Sequence, residues 1–367
     1  MKELTMWSYI NQEQPILLEA LAAYPKNIDA ALFQLQDFDD ILILGTGSSI
    51  NAAMSARCYL EKMTKKAVTI QEPFNFQHYA HKNNHPQLVL GISQSGQSTS
   101  TIDALNHLNN QSFKIGVTSI PDSEITEVTD TTLDILSGKE RVGYVSLGFT
   151  ASVLALMLLG LRLGVRLEIV SEEQEKQELA EFKQLLEQIE LTIKLSQSFF
   201  EKNEQSLRES QRFMSIAYGP ALGTAKEMET KFSETIRVPS QGLDLEAFMH
   251  GPYLEMNDTY RLFFLDTPAK PIIQKKAQLL RTYEEKVTSH IFVISIKNKQ
   301  TPTLAEPHRH LLLPEISDEN KCPLLLILPF QVLCWFISRS KGIDITQRIF
   351  TDFSQAVESK TTVQDYV

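Results

Sequence analysis

The chain has 367 residues, 43% hydrophobic and 22% charged, enough apolar material for two domains or one large one. A net charge of −10 argues against a nucleic-acid surface. Three cysteines, Cys58, Cys322 and Cys334, lack CxxC spacing and fit a reducing, cytoplasmic setting without disulfides.

Residues 1–14 carry charges and no apolar core, unlike a signal peptide. A strand is predicted at 40–44, ending in Gly45-Thr46-Gly47-Ser48-Ser49, followed by a helix at 51–63. Strand-like runs follow at 67–70 and 88–92. The second leads straight into Ser93-Gln94-Ser95-Gly96-Gln97-Ser98, with a helical stretch at 102–108. Further strands are predicted at 114–118 and 132–135, and a long apolar helix starts near Thr150. Residues 171–212 are rich in Glu, Lys and Gln with helical spacing of Leu and Ile. They read as one or two connecting helices whose charges form a solvated face. The rhythm then repeats. A strand at 213–218 ends in Gly219-Pro220-Ala221-Leu222-Gly223, a helix starts near Thr224, and strands follow at 261–265, 291–296 and 311–314. A final apolar helix fills 325–338. The apolar runs at 151–163 and 323–337 are too short to span a bilayer, so both are expected to be buried and no membrane partner is expected.

Alternating strands and helices imply α/β architecture with parallel sheets. The repeat implies two doubly wound, three-layer αβα units of the flavodoxin-like kind. The expected divisions are a helical extension at 1–38, a first domain at 39–170, connecting helices at 171–212, a second domain at 213–345 and a tail at 346–367 that closes the site.

Such sheets bind ligands at the carboxyl ends of their strands. Two hydroxyl-rich loops fall there in the first half, Thr46 to Ser49 and Ser93 to Ser98. A helix start offers free N–H groups and the positive end of a dipole. With the serine and threonine hydroxyls, these could hold a phosphate without Lys, Arg or metal. The plainer reading is an ordinary N-cap cluster. A dinucleotide fingerprint lacks its third glycine after Gly47, and the Gly-Lys-Ser/Thr of a P-loop is absent. A nicotinamide or nucleoside triphosphate site is therefore disfavoured and no cofactor is expected. The second half lacks the hydroxyl clusters at Gly219-Pro220-Ala221 and Asp266-Thr267-Pro268, so one phosphate site per chain is expected.

The second half carries other groups. Lys226, Glu227, Glu229, Lys231 and Glu234 fall on one helix, with Lys231 and Glu234 on one face. Sixteen residues beyond Glu234, His250-Gly251-Pro252 presents a histidine at a sharp turn. The plain readings are a surface salt bridge for Glu234 and a backbone-bonded turn for His250. His78, His81, His85, His107, His290, His308 and His310 have no metal spacing, and no metal is expected.

Gly47-Ser48-Ser49, Ser93-Gln94-Ser95-Gly96-x-Ser98, Lys231-x-x-Glu234 and His250-Gly251-Pro252 together resemble the tandem SIS (sugar isomerase) phosphosugar family. The pattern is similar to the isomerase domain of glucosamine-6-phosphate synthase and to fructosamine-6-phosphate deglycases, over roughly residues 39–360. The resemblance implies that Ser93, Gln94, Ser95 and Ser98 hold a sugar phosphate and that Thr46, Gly47, Ser48 and Ser49 line the sugar end, with Lys231 among the binding residues. It implies Glu234 as general acid/base at C1 and C2, and His250, supplied by a neighbouring subunit, in ring opening. Lys360 is the counterpart of a lysine that reaches the open-chain sugar; its plain alternative is a solvated tail lysine. The expected partners are a small-molecule phosphosugar and a second copy, in a homodimer or a dimer of dimers.

Two departures stand out. About forty residues precede the first strand, so no glutaminase half is expected. The family's Ser-Thr-Lys-Ala-Phe segment reads Val145-Ser146-Leu147-Gly148-Phe149. The expected function is a phosphosugar isomerase or deglycase. Alternatives are a hexosamine-6-phosphate isomerase or deaminase, and a phosphosugar sensor without turnover. The N-terminus has no room for a helix-turn-helix unit, and both Glu234 and His250 are retained, which favours the enzyme.

Overall fold

The computed structural model describes residues 4–80, 85, 87–108, 112–298, 306–362 and 366. The chain divides into two compact units, one holding Gln12–Lys183 with Arg348–Val367 and the other Gln184–Gln347 with Met6–Asn11. Helix α1 (Met6–Ile10) belongs to the second.

The first unit opens with α2 (Glu13–Ala22) and α3 (Lys26–Leu32). It continues through β1 (Asp40–Leu44), α4 (Ser48–Thr64), β2 (Val68–Gln71), α5 (Pro73–Tyr79), β3 (Gln87–Ile92) and α6 (Thr99–Asn106). β4 (Ser112–Thr118), β5 (Thr131–Asp134) and α7 (Leu147–Arg166) complete it. All five strands are parallel, in the order β2-β1-β3-β4-β5. Every residue of β3 is buried, as a strand covered on both faces requires. The order turns at β1 and β3, whose register runs from Asp40 opposite Gln87 to Leu44 opposite Gly91. A crevice opens at such a turning point, outside the carboxyl ends of the strands.

Helix α7 is apolar all round and lies buried, the mark of a core helix. Gly160 lets α4 come close, since a Cβ there would lie 2.9 Å from Leu60 Cδ2. Helix α4 starts earlier than the sequence pattern predicts. Ser48 and Ser49 therefore occupy its first turn and not the loop before it.

Helices α8 (Glu172–Leu186) and α9 (Ile189–Glu209) fill the charged segment. The expectation of a solvated charged face holds only in part. Glu175 bonds Arg162 at 3.1 Å and also Tyr24, and Glu178 accepts from Tyr59 at 2.7 Å. These carboxylates fasten the first turns of α8 to the first unit.

The second unit runs through β6 (Arg212–Ala217), α10 (Leu222–Thr235), β7 (Ser240–Asp244) and α11 (Leu245–Phe248). β8 (Tyr260–Asp266), α12 (Pro271–Glu284), β9 (Ile291–Ile296), β10 (His310–Leu313) and α13 (Pro323–Ser340) follow. The parallel sheet order β10-β9-β8-β6-β7 repeats that of the first unit. Phe232 and Phe263 meet Phe330 of α13 edge-on, while Phe263 stacks on Phe292. Helix α13 is buried on all sides, as is α7; both are long and apolar enough to cross a membrane by length and composition, and both serve as core.

The sequence pattern missed β7, because Ser240-Gln241-Gly242-Leu243-Asp244 has no apolar alternation. Tertiary packing makes it a strand. A Cβ on Gly242 would lie 2.1 Å from the Ala225 carbonyl of α10, and its N–H donates to Glu229 at 2.8 Å. The tail returns to the first unit and holds one short helix, α14 (Phe353–Ala356).

Candidate functional site

A cavity of about 140 Å³ opens at the carboxyl ends of β1 and β3. Thr46, Ser48 and Ser49 line it from the β1 side, and Ser93, Gln94, Ser95 and Ser98 from the β3 side. Gly47 makes the turn between β1 and α4, at φ 57°. The start of α7 forms the opposite wall through Val145, Gly148, Phe149 and Ser152. Three helices thus begin around one space, each bringing the positive end of its dipole to it.

The loop after β3 is held rigid from within. Gly96 turns it at φ 68°, where a Cβ would lie 1.7 Å from Ser123 Oγ. The Ser98 N–H donates to Ser93 Oγ at 3.2 Å, and Thr101 Oγ1 donates to Ser98 Oγ at 3.2 Å. The Gln94 carbonyl accepts from the Ser119 N–H at 3.0 Å and from its hydroxyl at 2.8 Å.

The tail brings Lys360 into this loop, with Nζ 3.1 Å from Ser95 Oγ. Ser98 and Lys360 form an antiparallel bridge, and the Thr361 N–H donates to the Gln97 carbonyl at 3.1 Å. The cavity lined by hydroxyls and helix starts thus has a lysine on its wall as well. Burial pushes the Lys360 amine below the usual lysine range. Tyr366 also lines the cavity, and nothing in its sequence surroundings marks it.

The start of α7 is fixed by a residue the motifs did not single out. Buried Glu140 accepts from the Ser146 N–H at 2.9 Å, the Ser146 hydroxyl at 3.0 Å and the Gly148 N–H at 2.9 Å. Its charge sits at the positive end of the helix dipole. Glu140→Ala strands buried donors, so it is expected to cost about 1–3 kcal/mol of stability. A shift in the urea midpoint at unchanged slope measures it; no shift would mean that water replaces the carboxylate.

In the second unit, α10 carries Lys231 and Glu234 with Nζ and Oε2 2.7 Å apart. Glu227, buried one turn back, lies 3.7 Å from the same amine. Burial opposes the Lys231 charge, but the Glu234 and Glu227 carboxylates outweigh it and hold the amine protonated. Buried Cys334 nearby has its thiol pushed up to about 12 by burial, which keeps it inert. Glu234 is the half-exposed end of this chain of charges. The i,i+4 spacing of Glu227 and Lys231 was the available signal for the buried partner. Asp244 ends β7 and caps α11 by accepting from the Glu246 N–H at 2.8 Å. The turn that follows leaves His250 exposed, with its N–H on the Ala247 carbonyl at 3.1 Å.

The second unit's equivalent strand ends are closed by their own side chains. Thr267 donates its N–H to Tyr218 Oη at 3.2 Å and its hydroxyl to Glu319 at 2.5 Å. Asp266 holds Arg281 at 2.7 Å. Carboxylates there disfavour a phosphate.

Of the remaining histidines, His85 meets Asp40 at 3.0 Å and His310 meets Ser295 at 2.6 Å. His81 lies outside the described residues. Among the described residues, no group of three His, Cys, Asp or Glu could hold a metal ion, and none of the three cysteines is in a disulfide.

Fold and crevice define a tandem, doubly wound α/β protein with its hydroxyl-rich pocket at a topological switch point. Residues 34–165 match the family model described as SIS domain, and the two parallel five-stranded sheets match two such domains in tandem. Glutamine–fructose-6-phosphate aminotransferase (isomerizing) of Thermococcus kodakarensis is 24% identical over 336 residues, covering 90% of this chain and 54% of that one. The chain spans about half the length of the curated relatives it matches. A solved structure of a proposed phosphosugar isomerase from Clostridium difficile 630 superposes with a TM-score of 0.84 at 25% identity, covering 98% of this chain and 99% of the other. The C-terminal domain of glucosamine-fructose-6-phosphate aminotransferase from Francisella tularensis has the same fold, with a TM-score of 0.82 at 17% identity over 94% and 98% of the two chains.

Proposed function

We propose that the chain is an enzyme acting on a 6-phosphorylated amino sugar or fructosamine, by proton transfer between C1 and C2 through an enediol or enolamine. The observation that carries this reading is the cavity at β1 and β3, where helix N-termini, hydroxyls and the Lys360 amine converge. Such a space suits a phosphate dianion on a small polyol. Ser93, Gln94, Ser95 and Ser98 hold the phosphate, while Thr46, Ser48 and Ser49 face the sugar. Lys360 exchanges its contact with Ser95 for one with the open-chain substrate.

Glu234 takes the proton from the carbon beside the carbonyl or imine. The electron pair moves onto oxygen or nitrogen, and the proton returns at the neighbouring carbon. Lys231, held charged between Glu227 and Glu234, fixes the carboxylate's direction. His250, exposed on its turn, serves ring opening in the site of a second copy, which makes the working unit a homodimer or a dimer of dimers.

Wild-type protein in heavy water is the direct test, with fructosamine 6-phosphates, fructose 6-phosphate and glucosamine 6-phosphate as candidates. Deuterium at C1 or C2 together with turnover supports the enzyme. Tight binding with neither exchange nor turnover overturns it in favour of a sensor. Sharing of the site is tested by mixing inactive Glu234→Gln chains with inactive His250→Ala chains. Partial recovery of activity is expected, and none after verified subunit exchange would exclude a donated histidine.

A further inference from the structure

Among the exposed large apolar side chains, two groups stand beside charges of opposite sign. On the tail, Phe350 is 79% and Phe353 62% exposed, with Ile349 and Val357 also open; Asp352 and Glu358 are exposed beside them, and Arg348, also exposed, lies over the Tyr366 ring. On the outer face of α12, Ile272 is 76% and Leu279 62% exposed, followed by Tyr283. These three lie at helical spacings of seven and four, which makes one continuous stripe. Exposed Lys270, Lys275 and Lys286 flank that stripe, with one exposed carboxylate, Glu285, at its end; Lys276 is engaged by Glu246. The inner face of α12 is a separate surface, with Ala277 and Leu280 in the core. The outer stripe therefore is not needed to anchor the helix.

Single exposed apolar residues are ordinary, but a contiguous stripe usually marks a contact. Here one chain carries an acidic apolar segment and a basic apolar helix face. We propose that the tail segment around Phe350 and Phe353 of one copy docks on the α12 stripe of a second copy, with Asp352 and Glu358 facing Lys275 and Lys286. Made reciprocally about a two-fold axis, the contact closes into a dimer instead of propagating as a filament. Reciprocal pairing doubles the area that one tail–helix contact buries. The covered segment leads directly into Lys360, so association also braces the strand that carries that amine to the cavity. This inference names the surface for the homo-oligomer proposed above and rests on that assembly, not on the reaction.

Sedimentation equilibrium of the full chain is the test, with circular dichroism melts as a folding control. The wild type is expected to be a dimer or a dimer of dimers. Phe350→Ser with Phe353→Ser, and separately Leu279→Glu, are each expected to weaken association at least tenfold with unchanged melting. Asp352→Lys should weaken it too, and adding Lys275→Asp should restore part of the loss. A monomeric wild type overturns this contact and the shared site together. Association that survives all of these substitutions, or a charge reversal without rescue, overturns the contact alone. Deuterium exchange by the wild type reports on the reaction independently of either result.

Discussion

Glu234→Gln is expected to bind a phosphosugar and leave it inert. The substitution keeps the shape of the side chain and removes the group assigned to carry the carbon-bound proton. General acid–base groups contribute about 10²–10⁴-fold, so turnover and deuterium wash-in should both fall at least a hundredfold. Binding, read by calorimetry with the phosphosugar, should change little, because the proposed phosphate contacts lie on the loop after β3. The neutral amide also leaves Lys231 with Glu227 as its remaining carboxylate. If Glu234→Gln exchanges deuterium at the wild-type rate, another group is the base. His250→Ala should differ in kind. Its loss should fall on cyclic substrate more than on substrate already open, and a uniform loss on both would remove it from ring opening.

The second large effect concerns the anchor. Ser95→Ala combined with Ser98→Ala removes two hydroxyls from the cavity wall. Hydrogen bonds to charged groups are worth about 1.5–3 kcal/mol each, which puts the loss of phosphosugar affinity near a hundredfold or more. Lys360→Met should weaken binding as well and change its pH dependence. The free amine's pKa is lowered by burial, and a phosphate dianion favours its charged form. The Lys360 contribution is therefore full below the lowered pKa. It declines as pH rises through that value, earlier than an ordinary lysine near about 10.4 would allow. In Lys360→Met that decline should vanish. An identical profile in both proteins would place the amine outside the anchor. A bound phosphosugar whose phosphate lay at the second unit's loops, near Gly219 and Thr267, would also reject this site.

Much of the site was legible because its signals are local. Strands running into Gly45-Thr46-Gly47-Ser48-Ser49 and into Ser93-Gln94-Ser95-Gly96 are written in consecutive residues. The period of apolar positions places both at strand ends. Gly96 shows why the motif tolerates so little, since its turn and the nearness of Ser123 both exclude a side chain. Lys231 and Glu234 were legible for the same reason, being three apart on one helix.

Other features were invisible for want of a local signal. Ser240 to Asp244 has the composition of a loop. It becomes an edge strand because β6 offers it a partner and α10 presses on Gly242. Glu140 reads as one more charged loop residue, and only the arrival of α7's first turn gives it three donors. The acidic helix α8 reads as solvated, yet Tyr24 and Tyr59 come from far along the chain to meet Glu175 and Glu178, and Arg162 of α7 joins Glu175.

The amino-acid order by itself determined the α/β class, the repeat of two parallel sheets, the buried fate of both apolar helices and the two hydroxyl-rich loops that line the cavity. All of these follow from periodicity and from residue types at fixed short spacings. Tertiary structure alone decided which distant groups complete the cavity. Lys360 stands 265 residues from Ser95, and only the return of the tail to the first unit brings its amine within 3.1 Å. That contact converts a plain tail lysine into a buried amine of lowered pKa, because the solvation of a charge depends on what surrounds it in space and not on its neighbours in sequence.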